Sequence, residues 1–359
     1  MLPVLFNIVL PAQWAPFLLA LVSVALGFWQ ARAVKAAGEP TSAVVQTGAT
    51  WALGSYAAFW ALVRALGDPG EKNLFTLTRP LVLPLHTYGL LIATAFLVAI
   101  WLAGRTTARA GLDQEAVTDL SFWLLLAGMV GSRILFIIVN WDDYAREPIS
   151  VFYFWKGGLV FYGGFLGATA VAFWYMRRHN MEFLPYADAL APSVSIGHAI
   201  GRLGCFAAGC CWGGACDAHY ALAARFPPES LAYQSQVGHG LIHAGALTTL
   251  PIHPTQLYES IGELAIFTAL TLWRSKKRFN GEILALYLML YAPLRSVVEA
   301  LRGDEERGRA FNFLGAWARN AWWNLSTSQL ISVGIFAGGV TLYALAGRAS
   351  RAAAPAAAA

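Results

Sequence analysis

The segment YADALAPSVSIGHAIGRLGCF, residues 186–206, is apolar enough to lie within a lipid bilayer, yet polar side chains recur along it. Asp188, Ser195, His198 and Arg202 follow one another at intervals of seven, three and four residues, which places them on one face of a helix. Such groups are costly inside a membrane unless they are paired or hydrated. The segment therefore predicts a spanning helix whose polar stripe lines a hydrated cavity. The plainer alternative is that Arg202 extends to the interface and neighbours satisfy the rest.

The composition of the whole chain favours a membrane protein. Of its 359 residues, 57% are hydrophobic and 13% are charged, which is about half the charged share of a soluble domain. The net charge of +5 is modest, so we expect no nucleic acid as a partner. The N-terminus lacks the basic region that opens a cleavable signal peptide.

Nine apolar runs of roughly spanning length follow one another along the chain. They are Trp14–Trp29, Val44–Leu66, Tyr88–Ala103, Leu120–Val139, Gly158–Tyr175, Ala187–Phe206, Leu257–Trp273, Ile283–Ala300 and Leu330–Leu345. Basic connections come after every odd-numbered run, which places those connections in the cytoplasm. We therefore expect an all-α polytopic membrane protein of about nine transmembrane helices, with a periplasmic N-terminus and a cytoplasmic C-terminus.

Two further regions are predicted from their composition. The longest connection, about residues 207–256, falls on the outer side and is rich in glycine and proline, so we expect a small periplasmic cap. The end of the chain, residues 348–359, is of low complexity and is predicted to be a disordered cytoplasmic tail.

A second polar stripe lies in LRSVVEALRGDEE, residues 294–306. Arg295, Glu299 and Arg302 stand at positions i, i+4 and i+7, on one helix face. Glu299 is able to pair with either arginine and leave the other for an anion, and the planar guanidinium fork suits phosphate. Together with Arg202, this stripe predicts a site for a membrane phosphate. The alternative is a structural ion network near the outer surface.

Four more fragments place polar or glycine-rich sequence at the same predicted membrane face. They are HTYG at 86–89, GSR at 131–133, GGLVFYGGFLG at 157–167 and HPTQLYE at 253–259. The more usual role of such glycines is close packing between helices, and that alternative stays open here.

With DALAPSVSIGHAIGRLGCFAAG and LRSVVEALR, these fragments follow the order found in the prolipoprotein diacylglyceryl transferase family, which the sequence resembles from about residue 86 to 345. The resemblance implies a seven-helix transferase body. We therefore expect a two-helix transmembrane extension at residues 1–80, a transferase-like body with its cap at 81–347, and the tail at 348–359.

The resemblance also implies an activity. Members of the family transfer diacylglyceryl from phosphatidylglycerol to the lipobox cysteine thiol of a prolipoprotein, and glycerol phosphate leaves. The expected partners are thus phosphatidylglycerol, prolipoprotein signal peptides with a lipobox cysteine, and the bilayer itself. The expected location is the bacterial inner membrane. No cofactor or metal is expected for this reaction.

Residues of the site follow from matching the family's motifs. Arg202 and Arg295 correspond to the essential phosphate-side arginines. The predicted catalytic residues are Arg202, Arg295, Tyr162, Glu299 and His198. The predicted substrate-binding residues are His86, Tyr88, Arg133, Gly163, Gly164, Gly201, His253, Gln256, Tyr258 and Arg302.

One departure from the family pattern concerns the general base. The family's common HGG is Tyr162-Gly163-Gly164 here, so the histidine proposed as base is absent. Tyrosine titrates near 10 and is a poor base at neutral pH, although it is able to donate a hydrogen bond to a phosphate or ester oxygen. His198 and His86 are the alternative bases.

The second departure concerns the cysteines, Cys205, Cys210, Cys211 and Cys216, since many members carry asparagine and glutamate at the first two positions. They fall on the expected oxidising side, where disulfides persist. We expect disulfides that hold the cap, with free, partly buried thiols or a metal site as alternatives. The C-x4-C-C-x4-C spacing is not a usual zinc pattern. None is expected to be the nucleophile, because the substrate supplies its own thiol.

Three competing functions remain at this point. The missing histidine and the added helices favour a diverged homologue that moves another lipid group or uses another acceptor. A transporter would also have polar stripes, but the sequence shows no obvious inverted repeat. A membrane thiol oxidoreductase is disfavoured because the chain has no C-x-x-C pair.

Overall fold

The computed structural model describes residues 4–10, 15–36, 41–66, 81–146, 150–151, 158, 160–303 and 325–353. The chain forms two compact units, Leu2–Thr87 and Tyr88–Ala359.

The first unit contains two helices and a small antiparallel ribbon. Helix α1 (Ala15–Ala36) packs against helix α2 (Thr41–Leu66). Strand β1 (Val4–Leu10) pairs with strand β2 (Leu81–His86). The strands were not predicted, and residues 81–86 were assigned to the transferase-like body. Their pairing with β1 places them in the N-terminal unit instead.

The second unit is helical in its described part. Its helices are α3 (Thr87–Arg109, which begins at the boundary), α4 (Gln114–Val139), α5 (Trp141–Arg146), α6 (Phe161–Arg178), α7 (Phe183–Ala208), α8 (Leu231–Gly238), α9 (Thr255–Trp273), α10 (Glu282–Ala300) and α11 (Thr327–Ala353). Each of the nine predicted apolar runs overlaps one of the long helices of the two units. Helix α11 runs to Ala353, so residues 348–353 are helical rather than disordered. The rest of the predicted tail lies outside the described residues.

Four of the described helices are long and apolar enough to cross a membrane, namely α3, α4, α10 and α11. This agrees with a membrane protein. The larger predicted number of nine spanning helices stays a prediction.

Helices α4 and α6 cross closely because glycines meet at the crossing. A Cβ atom added to Gly131 would overlap the carbonyl of Gly163, and one added to Gly163 would overlap the carbonyl of Gly131. At Gly164 the added atom would lie 3.0 Å from the carbonyl oxygen of Gly128. The glycine-rich run therefore serves helix packing, the alternative left open for it above.

Asp188 joins the start of α7 to the start of α10. Its Oδ2 accepts a hydrogen bond from the Gly281 backbone N–H at 2.7 Å, and its Oδ1 accepts one from Leu284 at 2.9 Å. Lys277 Nζ lies 2.9 Å from the same carboxylate. Asp188 was predicted to belong to the polar stripe of Arg202. It instead has a structural role at the opposite end of α7.

Residues 209–254, the connecting segment, fold over the ends of three helices. Helix α7 ends at Gly209, whose φ of 64° is in the left-handed region that glycine adopts easily. Phe226, Ala232 and Ile252 form a small buried core in the segment. An isolated β-bridge pairs Gly213 with Arg302. The C-terminal ends of α7 and α10 and the start of α9 therefore meet at one end of the unit.

Candidate functional site

The central feature of the site is a charged network between antiparallel helices α7 and α9. Arg202 donates from Nη2 to Oε1 of Glu259 at 2.9 Å and from Nε to Nε2 of His198 at 3.1 Å. His198 Nδ1 lies 2.8 Å from Oε1 of Glu263, and Ser195 donates to the other oxygen of Glu263 at 2.6 Å. Both glutamates are buried, with side chains 1% and 0% exposed. The network holds the guanidinium of Arg202 in one orientation.

The hydrogen bonds of this network define the tautomer of His198. A guanidinium is only a donor, so Nε2 of His198 accepts the hydrogen bond from Arg202. The proton of a neutral ring is then on Nδ1, which donates to Glu263. Both ring nitrogens of His198 therefore make hydrogen bonds, and the one to Arg202 holds that guanidinium in its orientation.

A second arginine lies on α10. Arg295 Nη2 lies 2.7 Å from Oε2 of Glu299 and donates to the Ser328 hydroxyl at 3.4 Å. The prediction that Glu299 pairs with an arginine of its own helix is confirmed. Among the described residues, the buried Nη1 of Arg295 has no hydrogen-bond partner. One turn earlier, the Tyr291 ring centroid lies 5.8 Å from that of His198, so the arginine-bearing face of α10 adjoins the α7 network.

The first turn of α9 holds the chain that follows α7. Gln256 Nε2 donates to the carbonyl of Cys210 at 2.7 Å, and Thr255 Oγ1 donates to that of Cys211 at 2.9 Å. Gln256 was predicted to bind substrate. In the structure its amide nitrogen donates to a backbone carbonyl instead. Its Oε1 is buried and has no hydrogen-bond partner in the described part of the chain.

Small residues on α7 let α3 approach beside Arg202. A Cβ atom added to Gly204 would lie 3.5 Å from Cδ2 of Tyr88, and one added to Gly201 would lie 3.8 Å from Cδ1 of Ile92. Tyr88 itself is 45% exposed. Two predicted substrate-binding residues, Tyr88 and Gly201, therefore lie where α3 approaches α7, near Arg202.

Three aromatic groups meet above the start of α9. His253 Nδ1 and the Tyr258 hydroxyl share a hydrogen bond of 3.2 Å, and that hydroxyl donates to the Tyr220 hydroxyl at 3.1 Å. Arg302 is at the same end of the unit, through its backbone bridge to Gly213.

The structure gives other predicted site residues local structural contacts. Arg133 donates to the carbonyls of Ser150 at 3.0 Å, Val151 at 3.2 Å and Gly158 at 3.3 Å, so it joins α4 to these three residues. Tyr162 lies in the first turn of α6 with 58% of its surface exposed. Gly163 and Gly164 are in the α4–α6 crossing, and the exposed His86 ends β2 in the N-terminal unit.

All four cysteines are free thiols in the structure, so the expected disulfides are absent from these described residues. The sulfurs of Cys205, Cys210 and Cys211 lie within 4.8 Å of one another. Cys210 Sγ donates to the carbonyl of Cys205 at 3.6 Å. The neighbouring thiols of Cys205 and Cys210, and the positive charges of Arg302 and Arg202, lower the pKa of Cys211 below its ordinary value.

Two acidic residues of the network were missed by the sequence analysis. Glu259 ends the fragment HPTQLYE, and Glu263 follows four residues later in the apolar run of α9. Acidic residues one helical turn apart inside an apolar segment require partners, and that signal could have identified them. The partners themselves, Arg202 and His198, are on another helix.

Comparison with known proteins shows the family to which the chain belongs. The family model of prolipoprotein diacylglyceryl transferase matches residues 74–345. A phosphatidylglycerol–prolipoprotein diacylglyceryl transferase of Pseudoalteromonas atlantica is 31% identical over 271 residues, 75% of this chain and 88% of the relative. Proteins of the same name from Xanthomonas campestris pv. campestris and Finegoldia magna are 32% identical over 270 residues and 29% identical over 256 residues. These two alignments cover 74% and 71% of this chain, and 88% of each relative. The chain belongs to the prolipoprotein diacylglyceryl transferase family.

Proposed function

We propose that this protein transfers the diacylglyceryl group of phosphatidylglycerol to the lipobox cysteine thiol of a prolipoprotein. The names of the relatives give the two substrates of those proteins. The observation that carries the proposal for this chain is the pair of largely buried arginines, Arg202 and Arg295, on adjoining helices. Arg295 retains a buried Nη1 without a hydrogen-bond partner among the described residues, and a phosphate oxygen is the acceptor that such a donor suits.

The transfer makes one bond and breaks one. The thiolate sulfur attacks the glyceryl carbon that carries the phosphate, a carbon–sulfur bond forms, and the carbon–oxygen bond breaks. Glycerol phosphate leaves with the electron pair, so negative charge grows on its oxygens. Donors that are already in place stabilise such charge most effectively, and Arg202 is held in place by Glu259 and His198.

The attacking thiol must lose its proton, because the thiolate is the nucleophile, and the transfer balances when the departing glycerol phosphate takes this proton up. His198 is engaged at both ring nitrogens, and we assign it the positioning of Arg202. Tyr162 is assigned a hydrogen bond to the headgroup, and Glu299 the orientation of Arg295.

The proposal includes a location and a topology. Nine helices would span the bacterial inner membrane, with the N-terminus in the periplasm and the C-terminus in the cytoplasm. The connecting segment would then be a periplasmic cap over the site, on the side where prolipoproteins present the lipobox. The first two helices would form an extension to the transferase body.

The direct test is transfer of a labelled diacylglyceryl group from phosphatidylglycerol vesicles to a lipobox peptide by the purified protein. Wild type should transfer it and release glycerol phosphate. Arg202→Lys and Arg295→Lys keep the charge but lose the fork, so each should lower the rate by at least about 100-fold, as loss of an oxyanion donor does.

Arg225→Lys is the matched control, because Arg225 is exposed in the connecting segment. It should keep the wild-type rate. Wild-type transfer by Arg295→Lys would remove the site assignment. Failure of the wild type to transfer the group, or to complement a strain depleted of its transferase, would reject the proposed function.

A further inference from the structure

Three thiols meet beside Arg202, at the point where α7 ends. Cys205 lies in the last turn of α7, and Cys210 and Cys211 follow Gly209, the residue that ends the helix. The three Sγ atoms lie within 4.8 Å of one another. In the part of the chain that the structure describes, this is the single group of three or more histidine, cysteine or acidic side chains with such convergence.

The turn that carries two of these thiols is fixed by contacts from α9. Gln256 and Thr255 donate to the carbonyls of Cys210 and Cys211. Cys211 has a φ of 60°, a left-handed conformation that costs a non-glycine residue about 1–2 kcal/mol. Such conformations persist where the surroundings impose them. The backbone is therefore held in the form that brings the thiols together.

We propose that Cys205, Cys210 and Cys211 form a binding site for a thiophilic metal ion such as Zn²⁺. With zinc–sulfur bonds of about 2.3 Å, tetrahedral geometry separates two sulfur ligands by about 3.8 Å. The sulfurs, at 4.8 Å or less, need to approach by about 1 Å at most, which side-chain rotation provides.

The local charge suits three thiolates. Thiols must lose their protons to bind a metal, and three thiolates with a divalent ion leave a net charge of −1. Arg202 lies three residues before Cys205 on α7, and the backbone of Arg302 bridges to Gly213, two residues after Cys211, so two positive charges lie near the three thiolates. Three protein ligands leave one position of a tetrahedral ion open, to water or to an incoming thiol.

The chain contains its own control for this site. Cys216 is the fourth cysteine, and it lies in the connecting segment outside the group of three converging thiols. A variant at Cys216 removes one thiol from the protein and leaves the proposed ligands in place.

The test is titration of reduced, full-length protein in detergent with Co²⁺, whose thiolate complexes absorb in the near ultraviolet. Wild type should bind one Co²⁺ per chain, with an absorption intensity that corresponds to three thiolates, and Zn²⁺ should displace it. We expect each ligand variant to weaken Co²⁺ binding at least about tenfold, because even the loss of a group that only orients a metal ligand has an effect of that size. The variants are Cys205→Ser, Cys210→Ser and Cys211→Ser. Cys216→Ser should bind like wild type.

The wild-type spectrum is informative even if a serine variant does not fold. Absence of the thiolate band in folded wild type, or an equal loss in Cys216→Ser, would overturn the site. A disulfide among the three cysteines, found by mass spectrometry after alkylation of protein isolated without reductant, would overturn it as well. Because these measurements do not use lipid transfer, their outcome is independent of the proposed function.

Discussion

Arg202 and Arg295 carry the same charge, but their partners come from different places. Arg202 on α7 is paired with Glu259 on α9, and Arg295 is paired with Glu299 on its own helix. Removing one partner of a buried pair leaves an uncompensated charge, so the two glutamates are as important to the site as the arginines. The structure therefore extends the candidate site to Glu259, the partner of Arg202, and to Glu263, the partner of His198.

Tyr162 is the residue where the chain departs from the family pattern. We expect Tyr162→Phe to slow transfer by roughly ten- to a hundredfold, because a hydrogen bond to the charged phosphate of the headgroup contributes about 1.5–3 kcal/mol and about 1.4 kcal/mol is a factor of ten. Tyr162→His should stay active, since imidazole also donates from this position. The measurement is the rate of transfer to a lipobox peptide. A Phe variant as fast as wild type would reduce Tyr162 to a packing role.

At the scale of elements, the α4–α6 crossing depends on the absence of side chains. A Cβ at Gly163 would lie 2.6 Å from Cβ of Leu135 and would also overlap the carbonyl of Gly131. We expect Gly163→Ala to destabilise the protein by about 1–3 kcal/mol, as overpacking does. The measurement is the midpoint of thermal unfolding in detergent.

The matched control for Gly163 is Gly334→Ala in α11, where an added Cβ would meet no atom within 4 Å. It should leave the midpoint unchanged or raise it slightly, because alanine favours a helix over glycine. Equal midpoints for the two variants would show that α4 and α6 do not cross as described.

The start of α10 depends on Asp188. Asp188→Ala leaves Lys277 without this partner and two backbone N–H groups without their acceptor. We expect a loss of about 3 kcal/mol, the effect of breaking a buried pair, measured as a lower midpoint of thermal unfolding. Glu229→Ala, an exposed position in the connecting segment, is the control. A midpoint for the Asp188 variant equal to that of the control would contradict this role.

At the scale of the whole molecule, the distribution of basic residues predicts the topology. Alkaline phosphatase requires disulfides, which form in the periplasm and not in the cytoplasm. Fused after Ala353, it should be inactive; inserted at Gly245 in the connecting segment, it should be active. Phosphatase activity of intact cells is the measurement. The reverse pattern would invert the proposed orientation and place the Arg202 site on the cytoplasmic side.

The sequence by itself determined what depends on composition and on spacing within one helix. The apolar runs identified the helices because a bilayer requires long apolar segments. The pairing of Arg295 with Glu299 was predictable because residues four apart share a helix face. The two arginines were predicted as site residues because a charge in an apolar run is costly, and that role stays a prediction.

Only the tertiary structure decided which groups meet across helices. Glu259 and Glu263 are 57 and 65 residues from the partners Arg202 and His198, and the register of α7 against α9 that joins them is set by side-chain packing, not by periodicity in either helix. Asp188 looked like part of the Arg202 stripe, but the start of α10 uses it as a cap. The three thiols converge because α9 holds the turn after α7, a contact between distant parts of the chain that local spacing does not contain.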